Sequence, residues 1–315
     1  MQKFGINRQN HQRYRCKQCG KTFADIPPRP LDDLRVPLNR AVQVVHLLCE
    51  GVGIRAIERL TQLNRRTVLN VLEVAGHKCK RLLDQKLRNL TAEQIQVDEL
   101  YAFVNCKQHN TTVDDLERGD QYTYLSVDRK SKLIISHMIG KRTGDNCDAF
   151  MADLKTRIAG RFQLSTDGFS GYVGYLGAVF QTFKHGIDYG TEVKEYGRSI
   201  EGPRRYSPVV CLSARRTPQI GNPDRDFINT SHAERTNLSV RIFSRRHTRL
   251  TLGYSKKLFY HKCAVALFIA HFNFCRTHSA LKLKATELLR AQEQTPAMAA
   301  NLTSHVWGIE ELLTS

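Results

Sequence analysis

Gln94-Ile95-Gln96-Val97-Asp98-Glu99-Leu100-Tyr101-Ala102-Phe103-Val104 alternates in polarity with period two, the pattern of a half-buried β-strand. Asp98 stands mid-strand between Val97 and Leu100, where a lone carboxylate is costly to bury unless it is paired or bound to a metal. Pleating sends the next acid, Glu99, to the opposite face, which leaves Asp98 as the carboxylate of interest. Two more strand patterns follow, Tyr122 to Val127 and Leu133 to Ile139, joined by Asp128-Arg129-Lys130-Ser131-Lys132, in which Asp128 reads as a hairpin residue. Cys147 to Ile158 then carries Phe150, Leu154 and Ile158 at helical spacing, and Phe162 to Gly168 is a short strand ending at a glycine. Strand, strand, strand, helix, strand predicts an α/β fold, a mixed sheet with helices packed on it.

Two further acids lie where a sheet-based site would put them. Asp167 ends its strand beside Gly168, which permits close approach of backbone or substrate. Asn229-Thr230-Ser231 supplies cap chemistry for a helix starting near His232, and Glu234 falls in its first turn. Asp98, Asp167 and Glu234, brought together from separate elements, would suit two divalent ions, Mg2+ or Mn2+, which prefer oxygen ligands and serve phosphodiester hydrolysis and transfer. Acids at strand ends and helix starts also commonly cap or face solvent, and Asp224, Asp226 and Glu201 compete with Glu234. Arg241 lies two helical turns after Glu234, on the same face, where a cation would hold a DNA phosphate, with Asn237 one turn away and Arg245 and Arg246 extending the positive surface. The alternative for these residues is a solvated charged helix.

The 315-residue chain carries 48 Lys plus Arg against 30 Asp plus Glu, a formal charge of +18, so a polyanionic partner is the first expectation. Residues 1 to 90 hold 18 basic and 7 acidic residues, net +11, against 30 minus 23, or +7, in the rest. No stretch of uninterrupted apolar residues reaches the roughly 18 of a membrane span, and nine scattered cysteines lack a secreted disulfide pattern. Together these predict a cytoplasmic protein with no membrane partner.

The densest charge surrounds two recognisable patterns. Cys16-Lys17-Gln18-Cys19 reads as one knuckle of a zinc ribbon, with only His11 nearby to join it, so zinc would be held incompletely if at all. Ile26-Pro27-Pro28-Arg29-Pro30 breaks regular structure as a linker. From Leu38 two helical runs separated by Gly51-Val52-Gly53 lead to Asn64, which can cap a third helix, the dimensions of a helix-turn-helix. Arg65, Arg66, Thr67 and Asn70 would then reach bases and phosphates of double-stranded DNA from the start of a recognition helix. The bland alternative is a basic face on an ordinary helical bundle.

These segments resemble the insertion-sequence-one family of transposases from about His11 to His278. The resemblance is carried by H-Q-R-Y-R-C-K-Q-C-G-K-T-F, G-V-G-I-R-A-I-E-R-L, V-D-E-L-Y-A-F-V, D-R-K-S-K-L-I-I-S-H, S-T-D-G-F-S-G-Y and A-E-R-T-N-L-S-V-R, in that order. It implies a ribonuclease H-like catalytic part of the Asp-Asp-Glu group, with Asp98, Asp167 and Glu234 at the three acids and Arg241 at the basic position after them. It implies binding of terminal inverted repeats and target DNA, cleavage and strand transfer, and a homo-oligomeric synaptic complex. The ribbon's first cysteine pair is missing here. The expected organisation is a partial ribbon and linker at 1–30, a helix-turn-helix at 31–90, a catalytic domain at 91–285 with a basic insertion near 186–230, and a peripheral tail at 286–315. Two rivals stand beside a transposase: a DNA-binding relic that no longer cuts, and a hydrolytic nuclease of the same fold that nicks without joining.

Overall fold

The chain opens with a small antiparallel meander, β1 (Gln2–Ile6), β2 (Gln12–Arg15) and β3 (Thr22–Ala24), with the Cys16–Cys19 turn between β2 and β3. The computed structural model describes every residue except 9, 26–30, 33, 173, 175–185, 198–209 and 283–292, so the proline linker lies outside the described residues. Three helices follow: α1 (Leu38–Cys49), α2 (Ile54–Thr61) and α3 (Arg65–Lys86). Between α2 and α3 the chain turns at Gln62, held at φ 56°, and Asn64 caps α3 by accepting from the Arg66 amide at 2.8 Å. α1 buries Ala41, Val44, Val45 and Cys49, and α3 buries Val68, Val71, Leu72, Ala75 and Cys79, at the three- and four-residue spacing of one apolar stripe.

That stripe is covered from far along the chain. α6 (Leu258–Phe274) has no polar face because twelve of its 17 residues are buried, against α3, α1, β6 and the C-terminal segment. Helices 31–90 thus share one hydrophobic core with the rest of the protein instead of forming a separate globule. The helices touch most closely at Gly76, where a Cβ would lie 2.5 Å from Cys263 Cβ and 2.6 Å from its Cα. Alanine there would gain about 1 kcal/mol of helix propensity. The clash with backbone outweighs it, so Gly76→Ala is expected to lose about 1–3 kcal/mol net, read as a lower urea midpoint with unchanged slope. An unchanged midpoint would mean that the two helices separate easily.

The expected peripheral tail is a correction. α7 (Pro296–Ala299) and α8 (Ile309–Thr314) pack on α6, α1 and α3, and the Trp307 ring sits 4.8 Å from that of Phe274. Ile309, Leu312 and Leu313 are buried in the common core. Segments of four and six residues are too short for periodicity to mark them.

The central mixed sheet contains β4 (Gln94–Val104), β5 (Gly119–Asp128), β6 (Ile134–Gly140), β7 (Phe162–Thr166), β8 (Ile187–Gly197) and β9 (Val210–Ile220) in the order β6-β5-β4-β7-β8-β9. β4, β5 and β6 form the predicted meander, while β7 and β8 run parallel to β4. α4 (Gly144–Arg157) and α5 (Ser231–Phe243) flank it, α5 against β4 and β5. The expected insertion at 186–230 is the second correction: most of its described part is the β8–β9 hairpin, antiparallel at the sheet's edge. β9 exposes Cys211 through Arg216 without a break, so no alternation betrays it.

One register detail positions everything that follows. β4 pairs with β5 from Ile95 to Val104 but with β7 only over Gln94, Ile95 and Gln96. Past Gln96 the β7 side of β4 is open, and the chain leaving β7 at Asp167 lies in that gap.

Candidate active site

At the gap, Asp98, Glu99 and Asp167 each offer an oxygen within 4.8 Å of the others. Asp98 accepts from the Glu99 amide at 2.9 Å and from Asn237 Nδ2 at 2.8 Å. Burial pushes its pKa up to about 6, with the negative charges of Asp167 and Glu234 adding to the rise and the two hydrogen bonds opposing it. Glu99, with a side chain only 2% exposed, is pushed up to about 7 by burial and by Asp167, against the Tyr172 hydroxyl that donates to it and the charge of Arg142. Arg142 lies 2.9 Å from Glu99 Oε2 and 3.3 Å from Asp167 Oδ2, its guanidinium 4.2 Å from the centre of the Phe169 ring.

The presence of Glu99 corrects the expectation that pleating would separate it from Asp98. Alternation still sends the two side chains to opposite faces of β4. Here β4 has no neighbour on the β7 side, so Asp167 reaches both carboxylates around the strand's open edge.

Glu234 lies in the first turn of α5, as expected, but its carboxylate does not join the group of three. It accepts from Lys194 Nζ at 2.5 Å and Thr230 Oγ1 at 3.1 Å. Lys194 also lies 3.4 Å from Glu192, whose side chain is 3% exposed and accepts from the Thr230 amide at 3.2 Å. Glu192, Lys194, Arg142 and Tyr172 had no sequence signal. They lie in segments where nothing local marks a neighbour far along the chain.

The cap of α5 is also not where the sequence suggested. Thr230 occupies the cap position without a side-chain bond to the helix amides. Instead Gln96, 1% exposed on β4, accepts from the amides of His232 at 2.7 Å and Ala233 at 3.2 Å and donates to Asn229 Oδ1 at 2.7 Å. A side chain two positions before Asp98 therefore satisfies the helix's orphan donors and fixes α5 against the strand.

Asn237 was expected at a DNA surface. It is 2% exposed, holds Asp98 and leaves its own Oδ1 unpaired. Arg241 is half-buried with an unpaired Nε, and the charge of Asp98 acts on it. Arg245 is exposed, while Arg246 donates to Ser255 Oγ at 3.0 Å. Arg65 and Arg66 are exposed at the start of α3, and Thr67 and Asn70 are half-buried beside them. Cys16 and Cys19 face each other across their turn, and among the described residues His11 does not complete a group of three ligands with them.

No protein-family model and no curated protein matches the chain. Among solved structures, a piggyBac transposase in a synaptic complex with hairpin DNA is similar over 78% of this chain and 68% of that one, at 11% identity and a TM-score of 0.41.

Proposed function

We propose that this protein is a DNA transposase of the insertion-sequence-one type, cutting and joining DNA at the site built on Asp98, Asp167 and Glu234. The observation that carries the reading is the convergence of Asp98, Glu99 and Asp167 from two parallel strands, with the helix of Glu234 fastened beside them by Gln96. The order β6-β5-β4-β7-β8, three antiparallel strands followed by two parallel to the first, supports a ribonuclease H-like sheet. The charge of +18 and the exposed Arg65 and Arg66 support DNA as the partner, with 31–90 acting as a helix-turn-helix.

The donor set suits Mg2+ or Mn2+, because it is all oxygen and burial, with the neighbouring carboxylates, raises the pKa of both Asp98 and Glu99, a cost that a bound cation would offset. Asp98 and Asp167 would hold the ions, with Glu99 and Glu234 within reach of the same edge. Divalent ions there would activate the attacking oxygen and stabilise the leaving one. The chain's own residues set the geometry: Asn237 orients Asp98, Arg142 neutralises Glu99 and Asp167, and Arg241 presents a charge to the incoming phosphate. Water would first be the nucleophile, and the freed 3′ hydroxyl would then attack target DNA in a multimeric complex.

The test is incubation with Mg2+ or Mn2+ and labelled duplexes bearing the element's ends, scored for nicked and for joined products. Joined product supports a transposase, and nicking without joining supports a hydrolytic nuclease. Binding without any metal-dependent product supports the DNA-binding relic, a reading favoured by the two thiols, which among the described residues have no third ligand.

Lys194 competes with any cation for Glu234. Lys194→Met is therefore expected to tighten Mn2+ binding about two- to fivefold, the scale of a partly exposed ion pair, in a fluorescence or calorimetric titration. Unchanged affinity would remove Glu234 from the ion's ligands.

A further inference from the structure

Between the start of α3 and the segment after α5 lies an open groove of approximately 720 Å³. Arg55, Arg65 and Arg66 line one side, and Arg245, Arg246, Lys256 and Lys257 the other, with no carboxylate in the lining. Among the described residues none of these seven forms an ion pair. Uncompensated charge of one sign around a concavity favours an anion. The floor has another chemistry: Leu69, Leu72, Tyr260, Leu267 and Phe268 are apolar or aromatic. A phosphate alone would leave that floor bare, and a paired duplex cannot turn a base toward it. The groove has the size of a small-molecule site, about 300–1,000 Å³, which fits one nucleotide with its base on the floor and its phosphates among the cations.

The rim supplies the means to free such a nucleotide. In the loop Thr248-Arg249-Leu250-Thr251-Leu252-Gly253, Leu250 and Leu252 are each 91% exposed. Leu250 holds φ 56°, a left-handed conformation rare for leucine, and Leu252 lines the groove. Leucines held out to solvent beside a basic surface have the form of wedges that part stacked base steps. Ser255, just past the loop, bridges Val104 at the end of β4, six positions beyond Asp98 and about 20 Å along the strand at ~3.3 Å per residue. At ~3.4 Å per base pair the strand from Asp98 to the Ser255 bridge spans about six base pairs.

We propose that this groove receives one unpaired nucleotide of the DNA substrate, parted from the duplex by Leu250 and Leu252. The assignment rests on DNA being the substrate of the acidic site and specifies how that DNA is held.

The test uses the full chain without divalent metal and a duplex carrying 2-aminopurine, which brightens when unstacked, moved stepwise through the terminal base pairs. The wild type is expected to bind and to brighten the label at one or two adjacent positions. Leu250→Ser/Leu252→Ser, two exposed positions that do not support the core, is expected to bind the paired duplex more weakly and, at saturating protein, to stay dark. A duplex with one nucleotide already unpaired at the bright position is expected to bind the wild type roughly tenfold tighter than the fully paired one. Tight binding with a label silent at every position, or equal brightness in wild type and variant, overturns the proposal and leaves the DNA reading intact. No binding to any duplex overturns both.

Discussion

Asp167→Asn is expected to lower metal-dependent DNA cleavage roughly 10³-fold while leaving DNA affinity nearly unchanged, because losing one anionic ligand removes several kcal/mol of charge stabilisation at ~1.4 kcal/mol per tenfold. Asp98→Asn is expected to do the same. Both substitutions keep the side chain's size, and Asp167 is 39% exposed, so Asp167→Asn leaves folding intact. Glu99→Gln is the more discriminating variant. Its carboxylate lies within 4.8 Å of both others, and its loss leaves Arg142 with Asp167 alone, so a fall of about tenfold or more is expected. Single-turnover rates on a labelled duplex measure all three. Equal rates for wild type and Asp167→Asn would reject the site, and a wild-type rate for Glu99→Gln would return Glu99 to a purely structural role.

The second expectation concerns stability. Asp98 and Glu99 titrate near 6 and 7 in the folded protein against ordinary values of 3.8 and 4.5, so the folded state binds more protons than the unfolded one between these limits. Their contribution is fully present below the lower values and is lost as pH rises through the folded ones. His137 and His271 oppose this: burial lowers both to about 4 from 6.5, so their part of the stability increases with pH over the same window. The readout is therefore the difference between wild type and Asp98→Asn. The variant is expected to melt at the same temperature as wild type or lower near pH 5, and higher near pH 8, where it no longer buries an ionised group. Mn2+ requires ionised ligands and so should raise the wild-type melting temperature more near pH 8 than near pH 5, a gain that EDTA removes and that Asp98→Asn abolishes. Melting curves that shift in parallel for both proteins at every pH would show that Asp98 is not held out of its ordinary range.

Where local periodicity is strong, the sequence sufficed: β4, β5 and β6, α4, β7 and the Asn64 cap all appear close to their expected bounds. What it could not convey was context beyond the element. β9 is an edge strand with both faces wet, so its residues carry no alternation to read. Trp307 and Leu312 belong to the core through segments of a few residues, below the length at which a period can be told from chance. Asp98 and Asp167 could be singled out as acids in costly places, and they do meet. Glu99 was lost because pleating places it on the far face and takes no account of Asp167 reaching around the strand edge. Asn237 reads as a polar residue on a basic helix, and only the docking of α5 on β4 turns its amide toward Asp98.

The fastening of α5 by Gln96 also has a consequence in time. The two ends of that contact are separated by 136 residues of chain, and Glu234 stands only two positions past His232. During synthesis at about 5–20 residues per second, a nascent chain that has already exposed Asp98 and Asp167 lacks Glu234 for seconds, and α6, which completes the core, emerges later still. Until α5 has emerged, the Gln96 side-chain carbonyl has no helix amides to accept from. A product that ends before α5 therefore lacks the Asn237 amide that holds Asp98, and carries an incomplete site.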